Sequence, residues 1–132
     1  MIVLDEQLLG RNLETLIAAW YPGAVVYITD LRPNTVIKDD AIPALLGQQV
    51  QPTFITINAS DFWQKVAIND RFCMICFTLP DARVGEIAPK LRAVFQRLEF
   101  STKAKRMGKV IRVTDTGISY YMSHNQVVQA LP

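Results

Sequence analysis

Three short apolar runs that do not alternate with polar residues constrain this chain most: Ile2-Val3-Leu4, Thr53 to Ile57, and the stretch within Arg71 to Leu79. A strand with one wet face alternates at period two, whereas a run without alternation belongs to a strand buried on both faces. Strands of that kind need a layer of structure on each side, and the intervening segments carry helical spacing. From Gln7 to Trp20 the apolar positions Leu8, Leu9, Leu13, Leu16, Ile17 and Trp20 form one stripe, closed by Tyr21-Pro22-Gly23. Ala24 to Ile28 predicts a second strand. Ile42, Leu45 and Leu46, stopped near Gly47, predict a second helix. Ser60 or Asp61 opens a third helix toward Ile68. Val84, Ile87, Ala88, Leu91, Val94, Phe95 and Leu98 step by three and four and predict the clearest helix. Lys109 to Val113 and Gly117 to Met122 flank the turn Thr114-Asp115-Thr116-Gly117, the pattern of a C-terminal β-hairpin. The expected fold is a single α/β domain over residues 1–132: a three-layer α/β/α sandwich on a mainly parallel sheet.

With 132 residues, half of them hydrophobic and 20% charged, the chain is long enough for a core of its own and too apolar for disorder. A net charge of +2 names no partner, but the charges are segregated. Lys103, Lys105, Arg106, Lys109 and Arg112 follow one another with no acid between them, a strip suited to a nucleic-acid backbone or to solvent. No apolar run approaches the ~20 residues of a membrane span, and no signal-type segment opens the chain. The expectation is a soluble cytoplasmic protein.

The acids have a pattern. Asp5 and Glu6 follow the first apolar run, Asp39 and Asp40 precede the second helix, and Asp61 follows the third strand with Asn58 just before it. Helix capping explains each acid singly. In a doubly wound sheet, however, the strand-to-helix junctions lie along one edge, so Asp5, Asp40 and Asp61 can converge there. Carboxylate oxygens are what Mg²⁺ and Mn²⁺ take, with Glu6 and Asn58 as further candidates, and such ions activate water at phosphoryl centres. Asp30 reads as a strand-end turn residue. Cys73 and Cys76, three apart in a strand, point to opposite faces and read as core residues. His124, the only histidine, lies in the tail without a triad setting, and no Walker A or Gly-x-Gly-x-x-Gly pattern occurs.

Several stretches resemble the PIN-like nuclease superfamily, which contains VapC-type toxin ribonucleases, and within it a compact bacterial branch. They are Leu4-Asp5-Glu6-Gln7, Val25 to Leu31 ending in Asp30-Leu31, and Asp39-Asp40-Ala41-Ile42, followed by Thr56-Ile-Asn58-Ala-Ser-Asp61-Phe62. Cys73 to Pro80, the helix from Val84 to Leu98, and Gly108 to Asp115 are similar to its closing elements. The resemblance implies a PIN-like sandwich and an Mg²⁺- or Mn²⁺-dependent endoribonuclease, with Asp5, Asp40 and Asp61 as the metal-binding acids. It further implies a toxin paired with a small antitoxin protein. The chain departs from the pattern at Asn58, where the family carries an aspartate, and at Ala41, where a glutamate is common.

Two other functions stand beside the enzyme. The same fold, catalytically weakened, serves as a protein- or RNA-binding module. A phosphate-accepting receiver domain shares the acidic pair after the first strand but needs an aspartate where Asn58 stands. Trp63, Tyr120 and Tyr121 suit either the core or a homodimer or partner surface.

Overall fold

The computed structural model describes residues 1–132 and contains one seven-stranded mixed sheet flanked by short helices. In chain order the strands are β1 (Ile2–Leu4), β2 (Val25–Tyr27), β3 (Thr53–Thr56), β4 (Cys73–Phe77), β5 (Lys109–Thr114), β6 (Gly117–Met122) and β7 (Asn125–Ala130). The helices are α1 (Leu13–Ala18), α2 (Ile28–Leu31), α3 (Ile42–Gly47), α4 (Ala59–Phe62), α5 (Ile87–Gln96) and α6 (Lys103–Arg106), supplemented by 3-10 turns. Across the sheet the order is β2-β1-β3-β4-β5-β6-β7. The first five strands run parallel; β6 pairs antiparallel with β5, and β7 antiparallel with β6.

The unalternated runs do what their composition demands. Ile2, Leu4, Ile55, Cys73, Ile75, Phe77, Ile111 and Val113 face one apolar cluster, where Leu13 and Ile17 of α1 and Ile87, Leu91 and Val94 of α5 cover them. Val3, Phe54, Met74, Cys76 and Val110 face a second cluster, closed by Ile28 of α2, Ile42, Leu45 and Leu46 of α3, and Phe62 of α4. Successive residues of one strand thus enter different clusters, as the pleat requires. Cys73 and Cys76 lie in different clusters, both fully buried. Burial pushes each thiol up to about 12.

Several elements differ from the sequence reading. The expected helix over Gln7–Trp20 is broken into a 3-10 turn (Glu6–Leu8) and α1, because Gly10 and Asn12 adopt φ of 77° and 58°. Left-handed backbone cannot continue a right-handed helix, and Leu9 and Leu16 are left exposed. The helix expected over 84–98 begins as a 3-10 segment (Asp81–Glu86) before α5. Asp30 sits in α2 and accepts a hydrogen bond from the Tyr27 amide at 2.9 Å, so it closes a turn. Beyond β5 and β6 the chain continues into β7, so the C-terminal region is a three-stranded antiparallel extension and not a lone hairpin. β7 is almost wholly exposed on both faces, which leaves it no apolar alternation to announce itself.

One ion-pair network ties the start of α5 to the β5–β6 turn. Arg83 bonds Glu86 at 2.7 Å and Asp115 at 2.8 Å, with Lys90 beside both acids. Asp115 is therefore engaged as a turn anchor.

No helix is long and apolar enough to cross a membrane. Packing of α5 carries much of the first cluster, so Leu91→Ala, at a position with no exposure, should cost about 2–5 kcal/mol in urea unfolding. The same change at Leu98, 79% exposed, should stay within about 0.5 kcal/mol.

Candidate functional site

The parallel strands reverse their direction of growth at β1: β2 lies on one side of it and β3 on the other. In open α/β sheets the crevice at the carboxyl ends of the two strands flanking such a switch is where ligands bind. Here that crevice lies between β1 and β3. Asp5 leaves β1 there, and its amide donates to the Ile55 carbonyl at 3.0 Å. Thr56 ends β3, and its hydroxyl donates to Asp5 Oδ2 at 2.7 Å, closing the crevice floor.

Asp5 is only 6% exposed, and its carboxylate makes no capping hydrogen bond to the turn that follows. Capping therefore does not account for it. Burial raises its pKa above the usual carboxylate range; bonds from Thr56 and the Glu6 backbone oppose the rise, and Asp39 and Glu6 add to it by repulsion. Asp39 is raised as well. Loss of solvent around its carboxyl comes first, then the Asp61 carboxylate, with smaller repulsions from Glu6 and Asp40. Asp5, Glu6, Asp39, Asp40 and Asp61 thus share one rim and one electrostatic field.

The rim is not arranged quite as the sequence suggests. Asp39, Asp40 and Asp61 line one cleft of about 350 Å³ with Lys65, and Asp5 lies beneath the neighbouring crevice, outside that cleft. Asp39 is the member of the Asp39-Asp40 pair that couples to Asp5 and Asp61; the sequence reading favoured Asp40. Both belong to a 3-10 turn (Asp39–Ala41) whose cap position is Lys38, and neither caps α3. Asn58 is the cap of α4. Its Oδ1 accepts from the Asp61 amide at 3.2 Å and from the Ser60 hydroxyl at 2.9 Å, and its Nδ2 donates to Asp61 Oδ2 at 2.6 Å. The amide oxygen proposed as a metal ligand is thus already occupied by two donors, and Asp61 is capped rather than capping. No group of three or more His, Cys, Asp or Glu side chains is arranged to hold a metal ion.

Thr56 is the residue that sequence reasoning missed. The only available signal was a polar residue closing an otherwise apolar run, which fits any strand end.

The basic strip stands elsewhere. β5 begins at Lys109 and runs parallel to β1, so Lys103, Lys105, Arg106 and Lys109 lie at the amino ends of the strands, opposite the acidic rim. The Met1 ammonium, at that same end, has its pKa lowered by burial and then by Lys103 and Arg106. Arg106 is 5% exposed, with its guanidinium 3.9 Å above the Phe95 ring and Nη1 bonded to the Phe100 carbonyl. Arg106 is a core residue, and Lys109 Nζ bonds the Glu99 carbonyl at 2.9 Å. Lys103, Lys105, Arg106 and Lys109 therefore do not stand beside the acids. Tyr120 and Tyr121 are buried, 8% and 1% exposed, so neither supplies the dimer surface they were candidates for. His124 is exposed and borders a cleft at the amino-end edge, near Asp70 and Arg71.

Compared with known proteins, the chain matches no protein-family model, no curated protein and no solved structure.

Because the folded state disfavours the Asp5 carboxylate, the penalty is present at neutral pH and vanishes as pH falls to the ordinary value of 3.8. Asp5→Asn should therefore raise the melting temperature at pH 7, and the gain should shrink toward zero near pH 4. A melting series from pH 4 to pH 8 checks the sign. The thiols of Cys73 and Cys76 should stay unreactive toward a disulfide reagent at pH 8 until the protein unfolds.

Proposed function

We propose that the chain is a PIN-like α/β/α domain that hydrolyses RNA with Mg²⁺ or Mn²⁺ at the β1/β3 crevice. One observation carries this reading: Asp5, a carboxylate the fold keeps buried at electrostatic cost, stands at the switch point of the sheet within the field of Asp39. A stabilising residue would not carry that penalty, whereas a binding group does. The donors' chemistry, not a formed ligand set, suits a hard divalent cation: Asp5, Asp39 and Asp61 carry carboxylate oxygens and would hold the ion by closing on it. Such an ion, when bound, supplies a polarised water and charge neutralisation at the phosphodiester. Thr56 fixes the Asp5 carboxylate by its hydroxyl bond. Asp39, whose affinity for a proton is already raised, takes the proton of the attacking water. Asn58 holds Asp61 through its side-chain amide, a supporting role in place of direct ligation. In this reading Asp40 lines the cleft entrance, and the toxin role with a small antitoxin remains part of the same proposal.

A second reading has its own support. The occupied Asn58 oxygen and the distance of Lys103 and Lys105 from the rim favour a weakened site in a protein- or RNA-binding module.

Calorimetry with Mn²⁺ and a cleavage assay on single-stranded RNA separate the two. The enzyme should give Mn²⁺ heat and Mn²⁺-dependent cleavage, and Asp39→Asn should lower the rate by about 10²–10⁴-fold. Asp5→Asn should abolish cleavage while melting higher than the wild type, so lost activity cannot be assigned to misfolding. Equal cleavage by Asp5→Asn would sink the proposal. Absence of Mn²⁺ heat together with retained RNA binding would leave the module.

A further inference from the structure

The acidic rim needs a cation to hold a phosphodiester, and the strip at the amino ends cannot reach it. Arg112 stands nearer the carboxyl ends. In the sheet register Thr56 pairs with Cys76, and Cys76 pairs with Arg112. The two outer residues of this row share strand parity with Phe54 and Val110, which, like Cys76, face the second cluster. All three therefore lie on one face, near the carboxyl ends of the strands. Two strand spacings separate the outer pair, about 10 Å between their backbones. Thr56 grips Asp5, so Asp5 and Arg112 flank Cys76 along one line, and both charges act on its thiol.

The guanidinium of Arg112 has no assigned work in the fold. It makes no ion pair, and its buried Nε has no hydrogen-bond partner. One contact orients it: its Cζ lies 4.8 Å from the centre of the Trp63 ring, and Trp63 packs edge-on against Tyr121 at 5.0 Å. Arg106 also has an unpartnered Nε, but its Nη1 is bonded and its ring contact lies in the core. Arg112 is only partly buried. It opens on a cleft of about 210 Å³ with Ser119 directly opposite it in β6. The hydroxyls of Thr114 and Thr116 in the same cleft are bonded to each other and to the Gly117 carbonyl, which leaves Ser119 as the free hydroxyl. A half-buried, unpaired guanidinium beside a free hydroxyl matches the donor set that holds a phosphate.

We propose that Arg112, positioned by Trp63 and assisted by the Ser119 hydroxyl, binds a backbone phosphate of the same single-stranded RNA whose scissile phosphate is placed over Asp5. The inference rests on the ribonuclease reading for the choice of polymer. It assigns RNA contact to the C-terminal end of β5 and withdraws it from Lys103 and Lys105.

The test is fluorescence anisotropy with a short labelled oligouridylate in EDTA, where no metal-dependent cleavage occurs, repeated over a salt series. Arg112→Gln should weaken binding about tenfold and reduce the slope of log affinity against log salt by about 0.7, the value for one lost contact to a single strand. Arg112→Lys keeps the charge without the fork, so its slope should match the wild type while affinity falls part of the way. Melting curves establish that both variants fold. Lys103→Gln combined with Lys105→Gln should change neither quantity. Wild-type affinity and slope in Arg112→Gln, or loss of binding only in the double lysine variant, overturns the assignment and leaves the cleavage proposal untouched. Mn²⁺ binding or cleavage failing while Arg112-dependent RNA binding persists removes the enzyme and keeps this contact. No RNA binding by the wild type removes this contact and the RNA-binding form of the module, and the cleavage assay then decides the enzyme alone.

Discussion

Everything at the candidate site depends on β1 being sandwiched between β2 and β3. That single placement reverses the growth of the sheet and opens a crevice at the carboxyl ends of β1 and β3. It also brings Thr56 within 2.7 Å of Asp5 although 51 residues separate them in sequence. With the strands in sequence order instead, β2 would stand between β1 and β3, and Thr56 could not reach Asp5. The pairing is in turn enforced by burial. Ile2, Val3 and Leu4 are fully buried, so any register that exposes one face of β1 loses several apolar side chains at once.

The electrostatics divide along the strand axis. Acids collect at the carboxyl ends, and the Lys103–Lys109 cations collect at the amino ends with the Met1 ammonium. The separation leaves the rim without a neighbouring cation strip, and the pKa values of Asp5 and Asp39 are raised first by burial, with repulsion from nearby carboxylates adding to it. Lys65 lines the cleft with the acids, and Lys38 precedes Asp39 in the chain. Arg83, by contrast, is held between Glu86 and Asp115 in an exposed pair network, where geometry restrains the turn more than it contributes stability.

Much of the architecture was legible residue by residue. The apolar runs at 2–4, 53–57 and within 71–79 became strands because nothing but a doubly covered sheet buries them. Cys73 and Cys76 fell on opposite faces because a strand has period two. Val84 to Leu98 read as a helix, and Ile87, Leu91 and Val94 do face the core; its first turns tightened to 3-10 geometry, which hydrophobic spacing cannot distinguish. The helix over Gln7–Trp20 failed at Gly10 and Asn12, where two left-handed residues outweighed a good apolar stripe. Strand β7 was illegible because an exposed strand leaves no burial pattern.

The amino-acid sequence by itself determined that this chain forms an α/β sheet covered on both faces, and that acids end its strands. It did so because burial and pleat periodicity act locally and leave their mark on composition. Only the tertiary structure decided which acid of Asp39 and Asp40 joins Asp5, that Asn58 caps rather than ligates, and that Lys103 to Lys109 lie at the far end while Arg112 lies near the carboxyl ends of the strands. Those outcomes depend on strand order and on which side of a strand a side chain leaves, and both are set by contacts between residues tens of positions apart.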